Sequence, residues 1–328
     1  MPPAVRRKLL LLFSACAFAL AAAGSAAAAN GGFTPETAHS PNAHKINSAY
    51  LLILILTSVI FVLVEGALIA FIVKYRSRGR SKAVEGQQIH GHARAELIWT
   101  VIPVLILAAI ASFVFYELPG IRDVPKATAA DPQVHIQVEG RQFYWQFTYP
   151  NGAVSIDELH VPVGETVVLD VISRDVIHSW WIPELGGKFD AIPGKVNHTW
   201  FRVDRAGTYT GACAELCGLQ HAAMVASVVA VAPADYDAWV AQRKSQLAAA
   251  AFGKEEANGV CAKCHYFKTG DGVLVGPNLA GNSTLTDVNS LSTLVHNGSG
   301  KMPAVGKYWN DDQVAALVAY FKGGASGG

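Results

Sequence analysis

Residues 211–224 read GACAELCGLQHAAM and bring two thiols, an imidazole and a thioether close together in the chain. These groups belong to Cys213, Cys217, His221 and Met224. Copper binds well to soft sulfur ligands combined with imidazole, whereas magnesium and calcium ions prefer oxygen ligands. The stretch therefore predicts a copper-binding loop.

Three other interpretations of this loop stay open at the level of the residues. Cys213 and Cys217 could form a disulfide if the region lies outside the cytoplasm, where thiols tend to be oxidised. A structural zinc site usually takes four Cys or His ligands, which leaves the thioether of Met224 unexplained. Met224 and His221 could also be ordinary core residues. Composition weakens this last interpretation, because the chain has only three methionines, which are Met1, Met224 and Met302.

The five cysteines fall in three places along the chain. Cys16 lies in a predicted export signal, Cys213 and Cys217 lie in the loop, and Cys261 and Cys264 lie in a CAKCH motif. Every cysteine of the mature chain therefore belongs to a candidate cofactor site.

The first part of the chain has the composition of an exported membrane protein. Residues 1–29 hold a short basic stretch, an apolar run and then small residues, which is the layout of a secretory signal peptide. Residues 30–48 are polar and predict an extracytoplasmic loop. Two apolar stretches follow, residues 50–73 and 97–116, and each is long enough to cross a bilayer as a helix. We therefore predict two transmembrane helices within residues 49–118.

Charge sets the predicted orientation and excludes one class of partner. The loop between the two apolar stretches is rich in lysine and arginine, so the positive-inside rule places it in the cytoplasm. Both mature termini are then expected on the extracytoplasmic face of a bacterial cell membrane. The chain has 328 residues, a formal net charge of +1 and no basic patch outside this loop, which argues against nucleic acid as a partner.

Residues 119–233 predict a small antiparallel β sandwich or barrel that carries the loop at one end. Short β-type segments alternate with turn-forming pairs, and they lie at 134–138, 143–149, 166–171, 199–203 and 225–231. A copper site in the loop needs a second imidazole from elsewhere in this domain. His178 is favoured because it follows an apolar strand and precedes Trp180. On chemistry alone the rival ligands are His135, His160 and His198.

Three separated motifs resemble subunit II of haem–copper cytochrome c oxidase. They are HSW at residues 178–180, DAIPG at 190–194 and C-x-E-x-C-x3-H-x2-M at 213–224. The likeness runs from the first membrane helix to about Val231 and includes ELIWTVIP at residues 96–103. It implies that residues 119–233 form a cupredoxin-like domain and that oxidase subunit I is a partner.

The resemblance also implies a ligand set for CuA, the dinuclear copper centre of that family. There, two thiolates bridge the coppers, two imidazoles each bind one copper, and a thioether and a backbone carbonyl bind weakly. In this chain the corresponding residues are Cys213 and Cys217, His178 and His221, Met224, and Glu215. The side chain of Glu215 would reach a magnesium ion at the contact with subunit I, and Glu96 matches a carboxylate at the mouth of a proton channel.

One position departs from the family pattern. The family often has Trp-Tyr-Trp at the aromatic patch where an external cytochrome c delivers its electron. This chain has Phe143, Tyr144 and Trp145 there. The change puts in doubt the usual docking of a soluble cytochrome at that patch.

The CAKCH motif is the attachment signature of c-type haem. Its cysteines form thioethers to the porphyrin, and His265 is the proximal iron ligand. A redox-active dithiol is the other interpretation of Cys261 and Cys264. Met302 is the one methionine left to serve as the sixth ligand, and His296 is the alternative.

The surrounding sequence supports a small cytochrome c fold. Residues 276–279, GPNL, resemble the cytochrome c segment whose proline carbonyl accepts the proton of the proximal histidine. Asn310 is a predicted N-cap for a last helix at 311–322 that carries an apolar stripe. We therefore expect a helical linker at residues 234–251 and an all-α cytochrome c domain at 252–328.

Together these motifs predict a multi-domain membrane protein, a CuA-containing oxidase subunit II fused to cytochrome c in the caa3-type arrangement. It would receive electrons from an upstream cytochrome c or a quinol–cytochrome c reductase. It would pass them through haem c and CuA to subunit I, which reduces oxygen to water and pumps protons. Two other functions stay open, an electron-accepting subunit of a nitric- or nitrous-oxide reductase and a copper chaperone or redox sensor.

Overall fold

The computed structural model describes residues 34–76, 88, 90–128, 132–268, 271 and 274–323. The predicted signal peptide and most of the basic loop lie outside these residues. The chain divides into two compact units. The first contains residues 45–121, and the second contains the short segment Thr37–His44 together with the chain from Arg122 onward.

Two long apolar helices account for most of the described residues of the first unit, although the first four residues of the first helix belong to the second unit. Helix α1 spans Pro41–Tyr75 and helix α2 spans Ala93–Arg122. Both are long and apolar enough to cross a membrane. Large apolar side chains are exposed along both helices, as expected for helices that are hydrophobic all round and meet lipid instead of water. These helices confirm the two predicted membrane spans.

Helix α1 begins earlier than the sequence predicts, so the loop expected at residues 41–48 is wrong. Pro41 suits the first helical turn because its fixed φ fits a helix and it has no N–H to leave unsatisfied. Asn42 is buried, and its side-chain amide donates to the carbonyl of Trp200 at 2.6 Å. The polar composition of this segment therefore reflects a specific tertiary contact.

The described residues of the second unit include ten strands, which form its β part. In chain order β1 to β10 they are Gln133–Arg141, Tyr144–Thr148, Val154–Ile156, Glu158–Pro162, Thr166–Ser173, His178–Trp180, Phe189–Ala191, Asn197–Phe201, Gly207–Ala212 and Val225–Val231. A five-stranded sheet has the order β3-β2-β1-β5-β8, a three-stranded sheet has the order β4-β10-β9, and β6 pairs with β7. This arrangement confirms the predicted β sandwich.

The sandwich is mixed, so the prediction of a purely antiparallel fold is wrong. Strand β1 pairs in parallel with β5, and β4 pairs in parallel with β10. Parallel neighbours need a long connection. The hairpin strands between β1 and β5, and the strands between β4 and β10, provide those connections.

Four α-helices follow the strands in the part of the second unit that the structure describes. They are α3 Pro233–Ser245, α4 Ala250–Gly259, α5 Val288–Asn297 and α6 Asp311–Lys322. The helical stretch expected at 234–251 is interrupted at residues 246–249, and α4 packs against α6. A Cβ atom on Gly253 would lie 2.0 Å from the carbonyl oxygen of Ala316, so this close crossing requires glycine. Asn310 caps α6 with a full capping box, as the sequence predicts.

Strand β2 joins two hydrophobic cores because its side chains alternate between its two faces. Trp145 and Phe147 lie in the core of the sandwich. Tyr144 lies in a second core, which also contains Phe252 and Leu317 of the helical region. The helical region thus packs on the outer face of β2, close to the end of the sandwich that carries the cysteine loop.

Candidate metal centre and cofactor cavity

The cysteine loop connects β9 to β10, and backbone hydrogen bonds close it at its base. The N–H of Cys213 donates to the carbonyl of Met224 at 2.9 Å, and the N–H of Ala214 donates to the carbonyl of Ser179 at 2.9 Å. The second bond ties the loop to β6, which begins at His178. The sandwich therefore brings His178 beside the loop from a distant part of the chain.

Sulfur and imidazole atoms converge within the loop. The Sγ atom of Cys213 lies 3.8 Å from Sγ of Cys217 and 3.9 Å from Nδ1 of His178. The Sγ atom of Cys217 lies 3.6 Å from Nδ1 of His221 and 3.8 Å from Sδ of Met224. A disulfide bond would need about 2.05 Å between the two sulfurs, so the cysteines face one another as thiols. The structure thus brings together all five predicted side-chain ligands.

Three of these side chains lie close enough together to hold one metal ion. The ligand atoms of His178, Cys213 and Cys217 lie within 4.8 Å of one another, and all three side chains are buried. The backbone oxygen of Glu215 lies 3.1 Å from Sγ of Cys213, whereas the Glu215 side chain is exposed. The site therefore offers soft donors inside the protein and one carboxylate at its surface.

The rival histidines either contact other residues or are exposed on the sandwich. His160 stacks on Trp239 with ring centroids 4.0 Å apart, and His198 pairs with Asp170 at 2.7 Å. His135 is exposed on β1. The structure gives His178 the position that the sequence favours.

Asp175 is a functional candidate that sequence reasoning missed. Its Oδ1 atom lies 2.8 Å from Nε2 of His178, and its other oxygen accepts the N–H of Gln142 at 2.7 Å. A carboxylate on one imidazole nitrogen orients the ring and leaves the other nitrogen, here Nδ1, turned toward the thiols. The only sequence signal is an acidic residue three positions before a candidate ligand.

The two thiols differ in their electrostatics. Burial acts to raise the pKa of Cys213, but hydrogen bonds with His178 and with the backbone outweigh it and lower that pKa. Burial and the neighbouring Cys213 together raise the pKa of Cys217. Two thiolates so close together repel one another, and a bound cation would relieve this repulsion.

A second site surrounds the CAKCH motif. A cavity of 360 Å³ is lined mainly by apolar side chains, and it is also lined by all four predicted haem-binding residues, Cys261, Cys264, His265 and Met302. The imidazole Nδ1 of His265 donates to the carbonyl of Pro277 at 2.7 Å, as the GPNL resemblance predicts. A Cβ atom on Gly276 would lie 2.2 Å from Cε1 of His265, so glycine makes room for the ring.

The alternative interpretations of this motif fit the geometry less well. His296 has both ring nitrogens near other groups, Oγ of Ser292 at 3.2 Å and the carbonyl of Trp309 at 3.3 Å, and it does not line the cavity. Burial raises the pKa of Cys261 to about 12. A redox-active dithiol usually has a lowered pKa at its attacking cysteine.

Phe143 also lines this cavity, together with Gln142. Phe143, the first residue of the predicted aromatic patch, therefore faces the cytochrome region of the same chain. Gln142 in turn donates from Nε2 to the carbonyl of Cys217 at 2.7 Å. The cavity wall and the cysteine loop are thus in direct contact.

Comparison with known proteins gives three family matches. Residues 28–116 match the transmembrane domain of cytochrome c oxidase subunit II, and residues 153–231 match its periplasmic domain. Residues 248–321 match the family described as cytochrome c oxidase, cbb3-type, subunit III. The last match covers the helical region that carries CAKCH.

Several individual proteins are similar to this chain. Cytochrome c oxidase subunit 2 of Alkalihalophilus pseudofirmus is 37% identical over 207 residues, which are 61% of this chain and 59% of the relative. The same subunit of Thermostichus vulcanus is 31% identical over 268 residues, 67% of this chain and 80% of the relative. The crystal structure of the periplasmic domain of subunit II from Bradyrhizobium japonicum is 33% identical, covers 38% of this chain and 98% of that domain, and has a TM-score of 0.35.

The two membrane helices, the β sandwich and the thiol–imidazole site are together typical of membrane-anchored copper proteins of electron transfer. The chain belongs to the cytochrome c oxidase subunit II family, with a cytochrome c domain at its C-terminus. It is therefore part of a haem–copper oxidase complex and pairs with subunit I. The matched domains imply copper at a CuA site and haem c, and both fit the delivery of electrons to the oxidase.

Proposed function

We propose that this chain is the electron-accepting subunit of a caa3-type oxidase, in which haem c receives electrons and CuA passes them on to subunit I. Bound haem iron and copper each supply one-electron redox chemistry at their sites. The observation that carries the proposal is that both ligand sets lie in one compact unit and that their loops touch. Nε2 of Gln220, next to His221, donates to the carbonyl of Lys263 at 2.6 Å.

At the copper site, the proposed roles follow from donor chemistry and placement. The buried thiols of Cys213 and Cys217 and the imidazoles of His178 and His221 would hold the copper, with Met224 and the carbonyl of Glu215 as weaker ligands. Asp175 orients His178 through its hydrogen bond. The strands on both sides of the loop hold these side chains in place, so little rearrangement accompanies a change in redox state.

At the second site, Cys261 and Cys264 attach the haem and His265 is the proximal ligand. The carbonyl of Pro277 fixes the orientation of the His265 ring. Met302, which lines the same cavity, would also bind the haem iron, and a His/Met ligand pair favours a high reduction potential. The mainly apolar lining of the cavity would exclude water from a bound haem.

The membrane and partner assignments complete the proposal. The protein is a two-pass protein of the bacterial cell membrane, with both mature termini and the redox domains on the extracytoplasmic face. The electron donor is an upstream cytochrome c or a quinol–cytochrome c reductase. The exposed carboxylate of Glu215 contributes to a magnesium site at the contact with subunit I, and Glu96 lies at the mouth of a proton channel.

A nitric- or nitrous-oxide reductase subunit is the alternative function with a CuA domain. The matches to both oxidase subunit II domains, and the two membrane helices with Glu96 in the first turn of α2, favour the oxidase.

The test is electron delivery by the oxidase assembled with a His178→Ala variant of this chain. We expect the variant to keep its covalent haem and to accept electrons from ascorbate with a mediator, but to lose most oxygen consumption. A matched His198→Ala variant, which removes an exposed histidine of the same sandwich, should behave as wild type. Equal oxygen consumption by the His178→Ala and wild-type enzymes would contradict the proposal.

A further inference from the structure

Lys263 lies between the two cysteines of the haem-attachment motif, but its side chain contacts the β sandwich. Its Nζ atom lies 2.5 Å from Oδ2 of Asp157 and 2.8 Å from the carbonyl oxygen of Phe143. The Lys263 side chain is 10% exposed and that of Asp157 is 16% exposed. A lysine this far from solvent needs a partner of opposite charge, and its partner belongs to the copper domain.

Asp157 is itself held firmly in the sandwich. It joins β3 to β4 with a positive φ of 59°, a conformation that aspartate tolerates better than most residues. Its Oδ1 accepts the N–H of Trp145 at 2.8 Å, and its own N–H donates to the carbonyl of Trp145 at 2.8 Å. Its carbonyl accepts the N–H of Ser227 on β10 at 2.9 Å. Lys263 is therefore paired with a rigid point of the sandwich.

The backbone of the same lysine contacts the copper loop. Its carbonyl accepts the Gln220 amide, and Gln220 directly precedes the copper-ligand candidate His221. Phe143, whose carbonyl accepts from Lys263, has its ring close to Gly218 of the loop, because a Cβ atom placed there would lie 3.0 Å from Cε1 of Phe143. Side chain and backbone of Lys263 thus fix the attachment loop to the sandwich in two directions.

Haem attachment does not explain this residue, because the two positions between the cysteines bind neither porphyrin nor iron. We propose that Lys263 is a positioning residue that holds the haem-attachment loop against the copper loop, through Asp157 and the carbonyl of Phe143. Electron transfer within one chain depends on this fixed placement, since small displacements of reacting groups lower rates steeply. The inference rests on the proposed function, because it assumes that both cofactors bind.

The test uses the full chain, loaded with copper and haem, and a Lys263→Met variant. We expect unchanged copper and haem content, a slowing of haem-to-copper electron transfer by about tenfold or more after rapid photoreduction, and faster hydrogen exchange at residues 218–223 and 261–265. Lys254→Met is the matched control, since it removes an exposed lysine of the same domain. It should leave both measurements at wild-type values.

A second variant addresses the pair from the other side. Asp157→Asn keeps an oxygen to accept the N–H of Trp145 and should slow electron transfer to a similar extent. Adding Lys263→Met to Asp157→Asn should then have little further effect. Wild-type rates and exchange in both single variants with full cofactor content would overturn the inference. Absence of copper or haem from the wild-type chain would instead contradict the proposed function.

Discussion

Replacing Asp175 with asparagine should weaken copper binding although Asp175 is not a ligand. The carboxylate lies 2.8 Å from Nε2 of His178, whose side chain is fully buried, and it also accepts the backbone N–H groups of Gln142 and Val176. Asparagine has a similar shape but is a neutral, weaker acceptor with only one carbonyl oxygen. The imidazole therefore keeps only a weaker orienting partner and loses part of its basicity.

The expected magnitude is that of a lost orienting carboxylate at a metal-bound histidine, about 10- to 100-fold in copper affinity, or about 1.4–2.8 kcal/mol. The assay is competition for copper between the full chain and a coloured copper chelator under reducing conditions. Asp170→Asn is the matched control, because it removes a carboxylate from His198, an exposed histidine of the same sandwich. Equal copper affinities for Asp175→Asn and Asp170→Asn would show that the Asp175 carboxylate does not support copper binding by His178.

Three further predictions concern the helical region. Gly276→Ala should displace the His265 ring, because the new Cβ atom would lie 2.2 Å from its Cε1 atom. The expected result is loss of the low-spin haem spectrum, and a wild-type spectrum would contradict the prediction. Tyr144→Phe should lower the free energy of unfolding in urea by about 1–3 kcal/mol, because the Tyr144 hydroxyl is the partner of two buried groups, Nε1 of Trp309 and the carbonyl of Val305. An unchanged unfolding midpoint would count against this contact between the helices and β2. Burial raises the pKa of Glu256 well above its ordinary value. The contribution of the neutral Glu256 side chain to the free energy of unfolding is therefore complete below the unfolded-state pKa of about 4.3, and it falls as pH rises toward the folded-state pKa. Glu256→Gln should therefore gain stability relative to wild type between pH 5 and pH 8, and a constant difference across that range would argue against a neutral buried carboxyl group.

The candidate copper site was predictable because most of its ligands are close together in the sequence. Cys213, Cys217, His221 and Met224 share one loop, so spacing and donor chemistry suffice to group them. His178 comes from another strand and could only be favoured among four histidines by its apolar flanks. Asp175 and Lys263 escaped sequence reasoning, because an acidic or basic residue shows its partner only after the chain has folded.

The fold was predictable where the sequence pattern is long. Both membrane helices and strands such as β1, β5 and β10 follow from extended runs of apolar or β-branched residues. Strands β3, β6 and β7 have three residues each, which is too short for an alternating pattern. The parallel pairing of β1 with β5 depends on tertiary connections, and the helical start at Pro41 depends on the burial of Asn42 against the sandwich.

The central claim is that one chain carries both cofactors. The most direct test is the copper and haem content of the purified full chain, together with its redox optical spectrum. We expect two coppers for each covalent haem, a low-spin cytochrome c spectrum and the purple bands of mixed-valence copper. Covalent haem without copper, with Cys213 and Cys217 joined in a disulfide that reductant and copper cannot convert, would contradict it.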